Sequence, residues 1–181
     1  MRLLIVSLGL LLPAMGSAAP LTQSEYRWFV DLGGKTAHIV GKDKPLTGVR
    51  AGMVLPVNIN IALEAYAMTE QAETQGGGNY QRQNSYRFFG AHLEYPHRIF
   101  DRLSVIPGLS AGMGLGTYET KNGDTVGTEE KIYYSLEPSV TLSVKVVKSM
   151  WLNIGVSYFL VGDEPGFTNA TSLNLFARYL W

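Results

Sequence analysis

The sequence contains no cysteine, which excludes a disulfide framework, a thiolate zinc site and a cysteine nucleophile. It also lacks net charge: Lys plus Arg number 15 and Asp plus Glu 15, so the basic footprint that nucleic acid requires is missing. Histidine is scarce. His38, His92 and His97 are scattered without metal-ligand spacing, and no cofactor is indicated. The glycines of "GMGLG" (112–116) do not form the G-x-G-x-x-G of a dinucleotide site. Beyond Leu12 no window holds the ~18 apolar residues of a membrane-spanning helix.

The first residues read as an address. "MRLLIVSLGLLLPAMGSAAP" sets Arg2 before an apolar core, Leu3 to Leu12, and then small residues including Gly16 and Ala18. This is the layout of a secretory signal peptide, with cleavage expected after Ala18. Residues 19–181 are then the exported chain, long enough for one domain.

The remaining pattern has period two. In "KIYYSLEPSVTLSVKVV", Ile132, Tyr134, Leu136, Pro138, Val140, Leu142, Val144 and Val146 share one parity, and Lys131, Tyr133, Ser135, Glu137, Ser139, Thr141, Ser143 and Lys145 the other. A strand sends alternate side chains to opposite faces, so the run has one apolar and one polar face. The same alternation recurs around Tyr26–Leu32, Val49–Leu55, Val57–Ala67, Phe89–Tyr95, Val105–Leu115, Leu152–Leu160 and Leu173–Trp181, which makes eight strands. Long connections rich in Gly, Asn, Asp and charge ("GKTAHIVGKDKPLT", "EQAETQGGGNYQRQ", "ETKNGDTVGTE", "GDEPGFTNA") alternate with short ones at Pro56, "PHRIFDR" and Lys148-Ser149. This alternation predicts an all-β, eight-stranded antiparallel up-and-down transmembrane β-barrel, with long loops outside and short turns in the periplasm.

The two faces decide which side is wet. The uncharged face carries aromatics near its ends: Tyr26, Trp28, Tyr95, Tyr134, Tyr158, Tyr179 and Trp181. Charges fall on the other face at Arg27, Asp31, Arg50, Glu64, Glu94, Glu137, Lys145 and Arg178. A membrane barrel turns the apolar face outward, whereas a lipocalin-like soluble barrel, the alternative, would bury it. Eight strands leave an interior that side chains fill. Charges inside must pair, and Arg50 is expected to bond Asp31 or Glu64.

Architecture and ending resemble the small outer-membrane β-barrel proteins of Gram-negative bacteria, the OmpA/OmpX/opacity-protein class. "LNLFARYLW" is similar to that class's C-terminal assembly signal: Trp181 at the end, Tyr179 two residues before it, and Ala177, Leu175 and Leu173 alternating back. The class usually ends in Phe. The resemblance implies a monomer in the cell outer membrane, among lipid and lipopolysaccharide. It further implies delivery by periplasmic chaperones to the barrel-assembly machinery.

Two stretches invite a catalytic reading. "GLSAG" (108–112) matches the G-x-S-x-G of hydrolases, but no helix follows it and all three histidines precede Ser110. Some barrels of this size modify lipid A with His and Ser two apart on one strand and a carboxylate nearby; that pattern is absent here, and "AHLEYP" gives His92 and Glu94 instead. A tight turn at "PHRIFDR" would pair His92 near Ile106, leaving Ser104 as its neighbour and Ser110 on the order of 7 Å away. The expectation is therefore a non-enzymatic barrel with a filled lumen, acting through four loops in surface contact, adhesion or envelope integrity. The alternatives are OmpW-like passage of small apolar molecules, favoured slightly by lumen Phe29, Tyr66, Phe88 and Phe176, and a lipid A-modifying enzyme.

Overall fold

The computed structural model describes residues 26–39, 42–70, 72–76, 79–122, 125–161 and 170–181. The expected signal peptide and most of "GDEPGFTNA" lie outside them. The described chain is all strand: β1 (Arg27–Ile39), β2 (Lys42–Val54), β3 (Asn60–Met68), β4 (Ala72–Gly76), β5 (Asn79–Glu94), β6 (His97–Phe100), β7 (Leu103–Asn122), β8 (Thr125–Val147), β9 (Met150–Val161) and β10 (Ala170–Leu180). Eight of these close a ring in the order β1-β2-β3-β5-β7-β8-β9-β10, every neighbour antiparallel, with β10 pairing back onto β1. Closure leaves no open edge around the ring. The short strands β4 and β6 are hairpin arms at its two ends, paired to β5 and β7.

Side-chain parity sets the faces as expected for a membrane barrel. Leu63, Leu32, Leu173, Leu175, Ile154 and Val140 are exposed, while Asp31, Glu64, Glu137 and Arg178 are buried. The fold thus has an apolar exterior and a polar interior, the inverse of the soluble alternative. The end with the short turns is ringed by exposed Tyr26, Trp28, Tyr95, Tyr179 and Trp181. Trp181 closes the ring there: its N–H donates to the Trp28 carbonyl at 3.0 Å, and the Trp28 N–H donates back at 3.2 Å. The Tyr179 and Trp181 rings lie 5.7 Å apart. Such amphipathic rings favour the headgroup level of a bilayer.

Three details depart from the sequence reading. First, "GKTAHIVGKDKPLT" is not a long loop. β1 and β2 continue through it as a hairpin, paired from Gly34↔Thr47 to Ile39↔Lys42. "EQAETQGGGNYQRQ" and "ETKNGDTVGTE" are likewise mostly paired strand. Backbone amides satisfy each other in a ladder wherever a β-compatible sequence allows it, even beyond the apolar band. Second, "PHRIFDR" is not one turn: β6 occupies four of its residues and the reversal sits at Asp101-Arg102. Third, moving that reversal shifts the β5–β7 register, so His92 faces Ser110 rather than Ile106.

Glycine placement explains how large rings fit inside. A Cβ on Gly114 would lie 2.5 Å from the Tyr86 ring, and one on Gly112 would lie 2.6 Å from the Phe88 ring. The glycine-rich inward face of β7 therefore gives up volume that β5 fills. The turn after β2 needs a left-handed residue, and Asn58 takes φ 59° there, a conformation Asn tolerates.

Candidate functional site

Among the described residues, polar side chains gather in the lumen, which has three tiers. In the middle, β1, β2, β3, β5 and β10 converge their charges. The Arg178 guanidinium donates to both Asp31 oxygens, Nε to Oδ1 and Nη2 to Oδ2, each at 2.7 Å. It also reaches Glu94 at 2.9 Å. Arg50 lies 3.3 Å from Glu64 and 3.3 Å from Glu94, and 3.9 Å from Asp31. Its Nε–H donates to the Tyr66 hydroxyl at 2.8 Å, and that hydroxyl donates to Glu64 at 3.0 Å. Both guanidiniums stack on aromatic faces: Arg178 sits 4.1 Å from the Phe29 centroid and Arg50 4.0 Å from that of Phe176. An arginine fork suits this role, because it serves two carboxylates and a ring at once.

Above this, towards the long hairpins, the Lys35 ammonium bonds Glu137 and lies 4.4 Å from the Tyr66 centroid. Glu137 also accepts from Ser157. Around them pack Leu46, Tyr66, Tyr86, Phe88, Tyr118, Tyr133, Phe159 and Phe176 as one buried cluster. Sequence reasoning missed Lys35 because "GGK" reads as the start of a loop. Its parity with Phe29 and Asp31 was the available signal.

Of the expected lumen network, Asp31, Arg50, Glu64, Glu94 and Arg178 are thus brought together, and Glu137 joins a separate pair. Arg27 stands apart at the short-turn end, with no carboxylate partner among the described residues. The rings once read as favouring passage, Phe29, Tyr66, Phe88 and Phe176, are all buried and plug the bore. Leu173, Leu175, Ala177, Tyr179 and Trp181 line the exterior of β10 and its end.

The altered β5–β7 register creates one constellation that sequence reasoning set aside. His92 Nδ1 is 2.6 Å from Ser110 Oγ, and Nε2 is 3.0 Å from Glu94 Oε1. These are the distances of a Ser-His-acid triad. Its surroundings do not fit hydrolysis. Ser110 is buried, and a Cβ on neighbouring Gly108 would already meet Ser139 Oγ at 2.8 Å and His92 Cε1 at 3.2 Å, so no acyl group fits beside it. β7 is paired on both sides at this level, Ser110 with His92 and with Glu137. Its amides are committed to the ladders, which leaves no oxyanion donors. Arg50 Nη1 also stands 3.3 Å from His92 Nε2. The three residues are members of the buried polar network.

No protein-family model matches the sequence, and no curated protein matches it significantly. Solved structures do resemble the fold. The Yersinia pestis attachment invasion locus protein Ail, in complex with the heparin analogue sucrose octasulfate, superposes with TM-score 0.57 at 13% identity, covering 87% of this chain and 99% of that one. The N-terminal β-barrel domain of Pseudomonas aeruginosa OprF gives TM-score 0.58 at 11% identity, covering 86% and 97%. Neisserial surface protein A gives 0.53 at 16% identity, covering 86% and 95%. The chain therefore has the fold of the small eight-stranded outer-membrane β-barrels.

Proposed function

We propose that the chain is a non-enzymatic outer-membrane protein, exported by its N-terminal signal peptide. It acts through the hairpins that stand beyond its apolar band, in surface contact, adhesion or envelope integrity. The observation that carries this reading is the closed lumen. Charged pairs and a ring cluster fill the bore through its middle and upper tiers, so passage is disfavoured and the exposed hairpins remain as the working surface. Those hairpins are long. The β7–β8 ladder runs to Asn122↔Thr125, while among the described residues β8 pairs with β9 up to Ser135↔Val161. The barrel folds of Ail, OprF and Neisserial surface protein A support the same location.

Ail binds a sulfated sugar analogue in its complex. On this chain the β7–β8 hairpin carries Glu119, Glu129 and Glu130 against Lys121 and Lys131 among its described residues. That balance favours a neutral or basic partner over a polyanion. The test is fractionation and conductance together. The mature chain should sediment with outer membranes, shift its gel mobility on boiling, and show only small, sporadic conductance in planar bilayers. A soluble periplasmic chain without a shift would refute the location, and a stable open channel would refute the surface role in favour of passage.

A further inference from the structure

The third tier of the lumen is a cavity of about 190 Å³ open at the short-turn end. At ~30 Å³ per water, this is room for about six waters or one small organic ion. Its wall collects cations from four strands, Arg27 on β1, Arg98 on β6, Lys145 on β8 and Arg178 on β10, and among the described residues no carboxylate lines it. Arg178 is spent on Asp31 and Glu94. The other three have no buried counter-charge among the described residues. Arg98 reaches only the exposed Asp101, at 3.9 Å, and that residue's carbonyl, at 3.2 Å. The Lys145 ammonium lies 5.6 Å from the Trp151 ring centroid. Arg27 meets no acid among the described residues. The ladders place Lys145 opposite Trp151 and Trp151 opposite Arg178, so these inward positions form a continuous arc.

Asn60 adds a polar residue to the same wall. Asn60, 3% exposed, lines the same cavity; its Nδ2 donates to Glu94 at 2.8 Å while its Oδ1 has no partner. The amide cannot be flipped to relieve this, because that would set its oxygen against the carboxylate. A buried acceptor without a donor is costly. Arg27 and Lys145 are half-buried and Arg98 is exposed, so water solvates them in part, and an anion seated between them would relieve their mutual repulsion.

We propose that this vestibule is a binding site for a small anion bearing carboxylate or phosphate groups. The anion is held by Arg27, Lys145 and Arg98. The inference rests on the surface-barrel reading only in naming the periplasm as the side from which the anion comes; the site itself is defined by the cavity. Because the middle tier above is sealed, the anion binds and leaves by the same mouth.

The test is calorimetric titration of the refolded full mature barrel, in detergent at low salt, with citrate and separately with pyrophosphate. Saturable one-to-one binding of either is expected, weakened by added salt. Citrate alone would assign a carboxylate ligand, and pyrophosphate alone a phosphate. Binding should fall about tenfold or more in Arg27→Gln/Lys145→Gln, since each charged hydrogen bond lost accounts for roughly that factor. It should persist in the charge-conserving Arg27→Lys/Lys145→Arg pair and in Arg102→Gln, which lies outside the cavity. Each variant's boiling-dependent gel shift reports whether it is folded. Absence of saturable binding of both anions to the folded parent would overturn the proposal. So would equal binding by the folded parent and folded Arg27→Gln/Lys145→Gln. Either failure leaves the conductance and location tests of the surface role untouched.

Discussion

Arg178→Gln should be the most damaging single change in the charged tier, and the geometry says why. Asp31 is fully buried and takes both of its short bonds from Arg178. Without Arg178 its nearest cation is Arg50, at 3.9 Å. Glu94 is less dependent, because Asn60 at 2.8 Å, His92 at 3.0 Å and Arg50 at 3.3 Å remain. The cost therefore falls on one orphaned carboxylate, about 3–5 kcal/mol. Asp31→Asn is gentler. An amide oxygen still accepts from the guanidinium and Arg178 keeps Glu94, so the loss is a weakened charged bond, about 1–3 kcal/mol. The double variant removes both charges together and should cost no more than Arg178→Gln alone, a coupling of about 1–3 kcal/mol. Urea unfolding of the refolded barrel, followed by tryptophan fluorescence, measures all three. Equal single effects that simply add in the double variant would refute the view that these groups stabilise the bore as a pair.

The remaining expectations follow from packing and from the chain's ending. Gly112→Val should block folding, because its Cβ would lie 2.3 Å from the Phe89 carbonyl oxygen and 2.6 Å from the Phe88 ring; a normal boiling-dependent gel shift would contradict the packing account. Changing Tyr179 and Trp181 together to Ser should leave degraded or periplasmic chains in cells, whereas normal surface levels would show that this ending is no assembly signal. Ser110→Ala should cost about 1 kcal/mol of stability for its lost bond to His92 and leave the lipid A acylation pattern of expressing cells unchanged; an acylation change that Ser110→Ala abolished would restore the enzyme reading.

The residues differ in how much of their position was legible. Asp31, Arg50, Glu64 and Arg178 could be placed in the lumen from the sequence because period two fixes a side chain's face without any knowledge of register. Their meeting follows from ring closure, which sets β10 beside β1 and β2 beside β3. Register itself depends on where the chain reverses, and the composition of "PHRIFDR" concealed that point. Its polar ends look like a turn, yet His97 and Arg98 pair with Val105 and Ser104 and carry the reversal on to Asp101. That displacement alone turned Ser110 from a remote residue into His92's partner. Lys35 was hidden by the opposite effect: polar, glycine-rich stretches at the top of β1 look like loop, although hairpin ladders need no apolar residues once they stand beyond the lipid band. The cationic vestibule was not legible at all, because it depends on the absence of carboxylates around a cavity drawn from strands distant in sequence.

The central claim is that the apolar face meets lipid and the polar face meets a closed interior. The absence of native cysteine makes it directly measurable. Single cysteines placed at Ser172, Leu173, Asn174, Leu175, Phe176 and Ala177 and spin-labelled in liposomes report contact with oxygen, which partitions into lipid, and with a water-soluble relaxant. The account predicts strict alternation, with high oxygen contact at 173, 175 and 177, low contact with both probes at 172, 174 and 176, and no water-soluble relaxant reaching the middle of the bore. Reversed alternation, or its absence, would contradict it.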